Sequence, residues 1–147
     1  MTAPPFARTT CACAECVRCC TTQPGMLAPG EWERIVAVIG DAEARRSFVA
    51  SPGAQVVSME TGRQYRIGTI TPRYDRRAKR CVFLDDHQRC RIHAVAPAGC
   101  AYFDTHQSAM EGQRRSQWFM TEIRDDPEYA ALRATLPFSD HYKPKGY

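Results

Sequence analysis

Five cysteines fall within ten residues near the start of the chain: Cys11, Cys13, Cys16, Cys19 and Cys20. Cys81, Cys90 and Cys100 follow at wide intervals, making eight in 147 residues. Thiolates bind soft and borderline metals, and a Cys-x-x-Cys step lets two sulfurs converge on one ion or cluster. A reduced cysteine otherwise serves as a small buried apolar residue. Five within ten residues favours ligands over that role.

The spacing constrains the metal without choosing it. Cys81, Cys90 and Cys100 contain no pair two to four residues apart, so a zinc ribbon or finger fits poorly. Cys13, Cys16 and Cys19 match the first three positions of the bacterial ferredoxin run, but its fourth Cys and following Pro are missing. A fourth ligand from Cys81, Cys90 or Cys100 would complete an iron–sulfur cluster. In an extended backbone the neighbours Cys19 and Cys20 point to opposite sides, which suits two metals, a polynuclear centre, or one ligand and one spare thiol. Eight thiolates would fill two closed zinc sites, and seven would serve a dinuclear site with a bridging sulfur. The three-cysteine step favours an iron–sulfur cluster or iron, with zinc close behind. Arg18, Arg80, Arg89 and Arg91 adjoin cysteines, where guanidinium groups would offset thiolate charge.

Other residues carry less chemistry. His93 is read as a packing or hydrogen-bonding residue in preference to a nitrogen ligand, and His87 as a solvated turn residue. His106 and His141 have no spaced partner, so the two-histidine helix of zinc hydrolases is missing. Asp85-Asp86 reads as a turn making local backbone hydrogen bonds. No nucleophile elbow, phosphate-binding loop or dinucleotide fingerprint appears. Whether the chain is an enzyme stays open.

The elements that must hold the cysteines follow from periodicity. Trp32, Ile35, Val36 and Ile39 recur at helical spacing, with Pro29 before them and Gly40 at the end. Asp41 is placed to cap a second helix running through Phe48 and Val49 to the breaker Ser51-Pro52-Gly53. Strands are expected between Gln55 and Ile70. Cys81–Leu84 and Arg89–Ile92 read as a short hairpin around Asp85–Gln88. The last third reads as helical, with Trp118, Phe119 and Ile123 on one face and a new helix opening at Asp126-Pro127.

Composition supports a fold organised around these thiols. Leu, Ile, Val and Phe make up 24 of 147 residues, below the roughly 20% at which disorder becomes a concern. The net charge of +4 lacks the signature of a disordered chain. Length suits one domain. The expected division is a flexible segment 1–10, a cysteine-cluster domain 11–136 and a loose tail 137–147. No basic-then-apolar leader or spanning helix is visible, so a cytoplasmic, reducing setting is expected, with no membrane partner. The basic run Arg73–Arg80 reads as a solvated loop in preference to a nucleic-acid contact, and the pI of 8.7 supports that. The sequence identifies no protein partner.

With both halves in view, the chain resembles the CxxCxxCC family of YkgJ-type cysteine cluster proteins, a zinc- or iron-chelating class. Cys13, Cys16, Cys19 and Cys20 match its opening motif, and Leu27 with the helix after Glu31 resembles the next element. Cys81-Val-Phe83-Leu84 and the run from Cys90 through Ile92, Pro97 and Cys100 to Phe103 resemble the second half. The resemblance spans roughly residues 11 to 103. It implies a metal held by Cys13, Cys16, Cys19, Cys20, Cys81, Cys90 and Cys100. His93, Ala96 and Ala101 depart from the family's usual Tyr, Arg and Arg, and Cys11 lies outside its seven cysteines. Related clusters occur in flagellin lysine methylases, but there is no room here for a separate methyl-donor domain. The expectation is therefore a small metal-stabilised α+β domain with an N-terminal cysteine loop, helices, a short β-hairpin and C-terminal helices, chelating a metal through clustered cysteines in a structural or redox role. A metal carrier or sensor, or a metal-dependent enzyme, is the alternative.

Overall fold

The computed structural model describes residues 3–9, 11–58 and 60–139. It is an α+β fold: an N-terminal helix α1 (Ala14–Thr22), helices α2 (Glu31–Ile39) and α3 (Asp41–Ser47), and a hairpin of β1 (Phe48–Val57) and β2 (Gln64–Pro72). A two-residue ribbon follows, β3 (Tyr74–Asp75) with β4 (Arg80–Cys81), then a 3-10 turn at His93–Val95. Three further helices are α4 (Ala98–Ala101), α5 (Ala109–Arg124) and α6 (Pro127–Ala134). Among the described residues, no helix is long and apolar enough to cross a membrane.

Helices α2 and α6 end and begin where the sequence says. Gly40 terminates α2 at φ 85°, with its N–H bonded to the Val36 carbonyl. Asp126 caps α6, its carboxylate accepting from the N–H groups of Glu128 and Tyr129, with Pro127 in the first turn. Two expectations fail in instructive ways. Phe48 and Val49 open strand β1 and do not extend α3; a β-branched and an aromatic residue favour a packed strand face. Ser51-Pro52-Gly53 does not end the element either. It forms the bulge between Ser51 and Ala54, where Gly53 takes φ 84° and a Cβ would overlap the Ile67 carbonyl oxygen.

The other differences lie around the cysteines. The N-terminal cysteine segment is mostly helix α1, not a loop. The hairpin expected around Asp85–Gln88 is a pair of turns closed by a single bridge between Leu84 and Cys90. Asp85 Oδ1 accepts from the His87 and Arg89 N–H groups, which are the local bonds its turn position implies.

The core gathers Leu27, Ile35, Phe48, Ile70 and Phe83, and a neighbouring cluster centres on Phe119 with Ala98 and Tyr102. Two polar devices tie the cysteine-bearing segments to it. The buried Glu31 accepts from Ala28 N–H at 2.5 Å and Ala98 N–H at 2.9 Å through one oxygen, and from Arg34 through the other. This fixes the start of α4, and with it Cys100. The buried Tyr129 hydroxyl accepts from Ile70 N–H at 2.7 Å and donates to the Leu27 carbonyl at 2.9 Å. At the termini, segment 3–9 lays Phe6 edge-on against Trp118, and Thr9 N–H reaches the Ala101 carbonyl. In the tail, Pro137 and Ser139 bond to the backbone of Ala50.

Candidate metal centre

Four ligand atoms meet at one end of α1. The sulfurs of Cys11, Cys13 and Cys16 and a ring nitrogen of His106 all lie within 4.8 Å of one another. Cys13 Sγ is 3.5 Å from His106 Nε2. A tetrahedral ion with Zn–S bonds of about 2.3 Å and Zn–N bonds of about 2.0–2.1 Å has sulfur–nitrogen edges of roughly 3.6 Å. The observed contact fits that edge, so this Cys3His set has the donors and spacing to coordinate a metal ion. Cys13 and His106 are exposed, and Cys11 and Cys16 are half-buried.

Local structure explains the convergence. Cys13 is the N-cap of α1, and Cys16 stands one turn on, where positions three apart share a face. The chain before the helix is held by Thr9. Its hydroxyl accepts from Cys11 N–H at 3.2 Å and donates to Asp104 at 2.7 Å. The other Asp104 oxygen accepts from His106 N–H at 2.9 Å. One carboxylate therefore positions both the cysteine arm and the histidine loop. Thr105 adds a 3.3 Å contact between its hydroxyl and Cys16 Sγ.

The electrostatics of this outer set favour thiolate at Cys13. The Cys16 N–H in the open first turn, the His106 contact and the Cys16 sulfur together lower its pKa to about 6. His106 is raised in turn, chiefly by its contact with Cys13. Cys11 ends above its usual value: the Cys13 N–H pulls it down, and hydrogen bonding with the Cys16 and Cys13 sulfurs outweighs this.

The remaining cysteines lie deeper. A cavity of about 100 Å³ is lined by Cys19, Cys20, Cys81, Cys90 and Cys100 and reaches Cys11 and Cys16 of the outer set. Cys81 is buried, and Cys20, Cys90 and Cys100 are half-buried. Burial pushes Cys81 up to about 12 and Cys20 to about 11. It raises Cys90 as well, and Cys100 well above its usual value. The charges of Cys20, Cys81 and Cys90 all bear on Cys100, so the four thiols form one neighbourhood. They do not join the set gathered within 4.8 Å. Arg91 lowers Cys81 and Cys90 by its charge. Arg80 instead pairs with Asp86 at 2.7 Å.

The seven cysteines expected as ligands thus divide. Cys13 and Cys16 belong to the outer set, while Cys19, Cys20, Cys81, Cys90 and Cys100 surround the inner cavity. Cys19 is exposed on α1 and Cys20 turns inward; on a helix, neighbours diverge by about 100°. Of the outer set, the sequence leaves Cys11 open and does not point to His106. Cys11 falls outside the cysteine pattern of the family, and His106 has no sequence neighbour at ligand spacing. Only Asp104, two residues before His106 in a turn that precedes the Ser108 cap of α5, hints at a fixed loop there. His93 is exposed at the cavity rim, and His141 lies outside the described residues.

No curated protein and no solved structure matched the chain. A family model does, over residues 12–122: CxxCxxCC, described as "putative zinc- or iron-chelating domain". Cys11 precedes that stretch and His106 lies inside it. The match takes in α1, the inner cavity and the histidine loop, and the chain belongs to the CxxCxxCC family.

Proposed function

We propose that this protein chelates zinc at the outer set, with Cys11, Cys13, Cys16 and His106 as its four ligands. The observation that carries this is the gathering of three sulfurs and one imidazole nitrogen within 4.8 Å. Three thiolates and an imidazole are a common donor set for a closed zinc site. Four protein ligands leave no position for substrate, so the role is to hold metal and not to activate water. The ion would join the segment before α1 to the loop before α5. A reducing, cytoplasmic setting suits such a site because it keeps the thiols available.

A second reading concerns the inner thiols and keeps iron–sulfur chemistry in view. Cys20, Cys81, Cys90 and Cys100 are all sulfur donors, and their wider spacing around a cavity suits a polynuclear centre better than one ion. Cys19 would be a fifth, exposed thiol at its edge.

Anaerobic purification followed by elemental analysis and absorption spectroscopy tests both readings. Colourless protein with zinc that is lost in a Cys13→Ser variant supports the outer site. Brown protein with iron and acid-labile sulfide, retained in that variant, supports the inner one. Protein that binds neither metal tightly under reducing conditions contradicts both.

A further inference from the structure

Cys13 and Cys16 carry chemistry beyond chelation. They form a Cys-x-x-Cys step whose first member caps a nine-residue helix, and the Val17 N–H bonds the Cys13 carbonyl to close the turn that holds both. Their sulfurs lie within 4.8 Å of each other. Cys13 is exposed, whereas Cys16 is half-buried and held against the Thr105 hydroxyl. That is the asymmetry of an attacking thiol and a resolving thiol. We propose that Cys13 and Cys16 are a redox-active dithiol that reacts with small-molecule disulfides, and that closing the pair dismantles the outer chelating set.

The step balances as ordinary thiol–disulfide exchange. The Cys13 thiolate attacks one sulfur of a disulfide R–S–S–R, forming a Cys13–S–S–R bond and releasing R–S⁻. The Cys16 thiolate then attacks Cys13 Sγ, forming the Cys13–Cys16 bond and releasing the second R–S⁻. The two cysteines lose two electrons and the small disulfide gains them. The two released thiolates take up protons from solvent, which in metal-free protein also receives any proton that a cysteine thiol loses before it attacks.

Selectivity follows from exposure. Cys81 is buried and Cys20, Cys90 and Cys100 are half-buried around the inner cavity, while Cys19, though exposed, is not among the sulfurs gathered within 4.8 Å of one another. An accessible thiol with a partner sulfur in reach closes a disulfide most readily, so the outer pair closes first. Once it has closed, only Cys11 and His106 of the four outer donors remain, too few for a closed site. This last consequence rests on the chelating reading above; the dithiol reaction does not.

The experiment treats the full reduced chain with oxidised glutathione, in metal-free and zinc-loaded forms, under inert gas. Disulfides are mapped by peptide mass spectrometry, and released zinc is followed with a chromogenic indicator. The expected first product is the Cys13–Cys16 disulfide in both forms, with zinc leaving the loaded form on the same time course. In a Cys16→Ser variant the reaction should stall as a glutathione adduct on Cys13. A first disulfide that includes Cys11, Cys19, Cys20, Cys81, Cys90 or Cys100 would overturn the proposal, as would a Cys16→Ser variant with no adduct on Cys13. A pair that closes in a chain unable to hold zinc would leave the dithiol standing and remove the chelating reading. Zinc held by a chain whose pair never closes would do the reverse.

Discussion

His106 Nε2 lies 3.5 Å from Cys13 Sγ across 93 residues of chain. A metal ion at that junction would close a long loop, and a link of this span constrains the unfolded chain more than a local one. On the proposed function the ion and the fold would be coupled: what holds the ion would also hold the segment before α1 against the α4–α5 connection.

Removing the histidine tests the coupling. Structural zinc in small domains is bound with roughly 10–16 kcal/mol, which shared among four ligands is about 3 kcal/mol each. His106→Ala should weaken zinc binding at the outer set by about two orders of magnitude, read by competition with a chromogenic chelator. Because His106 is exposed, the metal-free variant should melt close to the metal-free parent. Unchanged zinc affinity would remove His106 from the site.

Asp104 should matter without touching the ion. It holds Thr9 through one oxygen and His106 N–H through the other. Groups that orient metal ligands typically contribute about 10–100-fold in affinity. Asp104→Ala should lose about that much, and Asp104→Asn, which keeps one acceptor oxygen, should recover part of it. Equal affinity for all three proteins would show that the loop is positioned by other contacts.

Gly25 and Gly99 should resist any side chain. A Cβ on Gly25 would overlap the Gly99 backbone, and a Cβ on Gly99 would overlap Met26 N and the Gly25 backbone. The same contact carries the Gly99 N–H to the Met26 carbonyl and the Gly25 N–H to Cys100 Sγ. Gly99→Ala should destabilise the chain by about 1–3 kcal/mol, measured by urea unfolding, and shift Cys100. A variant as stable as the parent would mean that the two segments can separate freely.

Metal uptake should release more protons in the inner cavity than outside it. Burial holds Cys81 at about 12 and Cys20 at about 11, so both carry protons at neutral pH. Cys13, at about 6, is already mostly thiolate at pH 7.5. A cation entering the cavity displaces protons, so its apparent affinity rises with pH, by about tenfold per unit for each proton released, and falls on acidification. Calorimetric titrations in buffers of different ionisation enthalpy would count those protons. A smaller release in a variant restricted to the inner thiols than in one restricted to the outer set would contradict this ordering.

The helices were the most legible part of the sequence. Gly40 and Asp126-Pro127 mark boundaries through backbone rules that act locally, and the structure obeys them. Phe48 and Val49 were misread because the hydrophobic pattern of a short run fits either element, and pairing with Pro72 and Thr71 of β2 decides it. Cysteine spacing showed that ligands gather near the N-terminus but not how they divide. Cys19 and Cys20 turn apart because α1 is helical, and cysteine is a weak helix signal. His106 was illegible for a different reason. Its approach to Cys13 depends on Asp104, Thr9 and the packing of Phe6 on Trp118, contacts that no local spacing encodes.

On the proposed function, zinc sits among three sulfurs and one histidine nitrogen at the end of α1. X-ray absorption at the zinc edge, on the reduced chain loaded with one equivalent of zinc, measures that donor set directly. The expected result is three sulfurs at about 2.3 Å and one nitrogen at about 2.0–2.1 Å, with the nitrogen contribution lost in His106→Ala. Four sulfurs around the zinc, or a spectrum that the His106→Ala variant leaves unchanged, would contradict it.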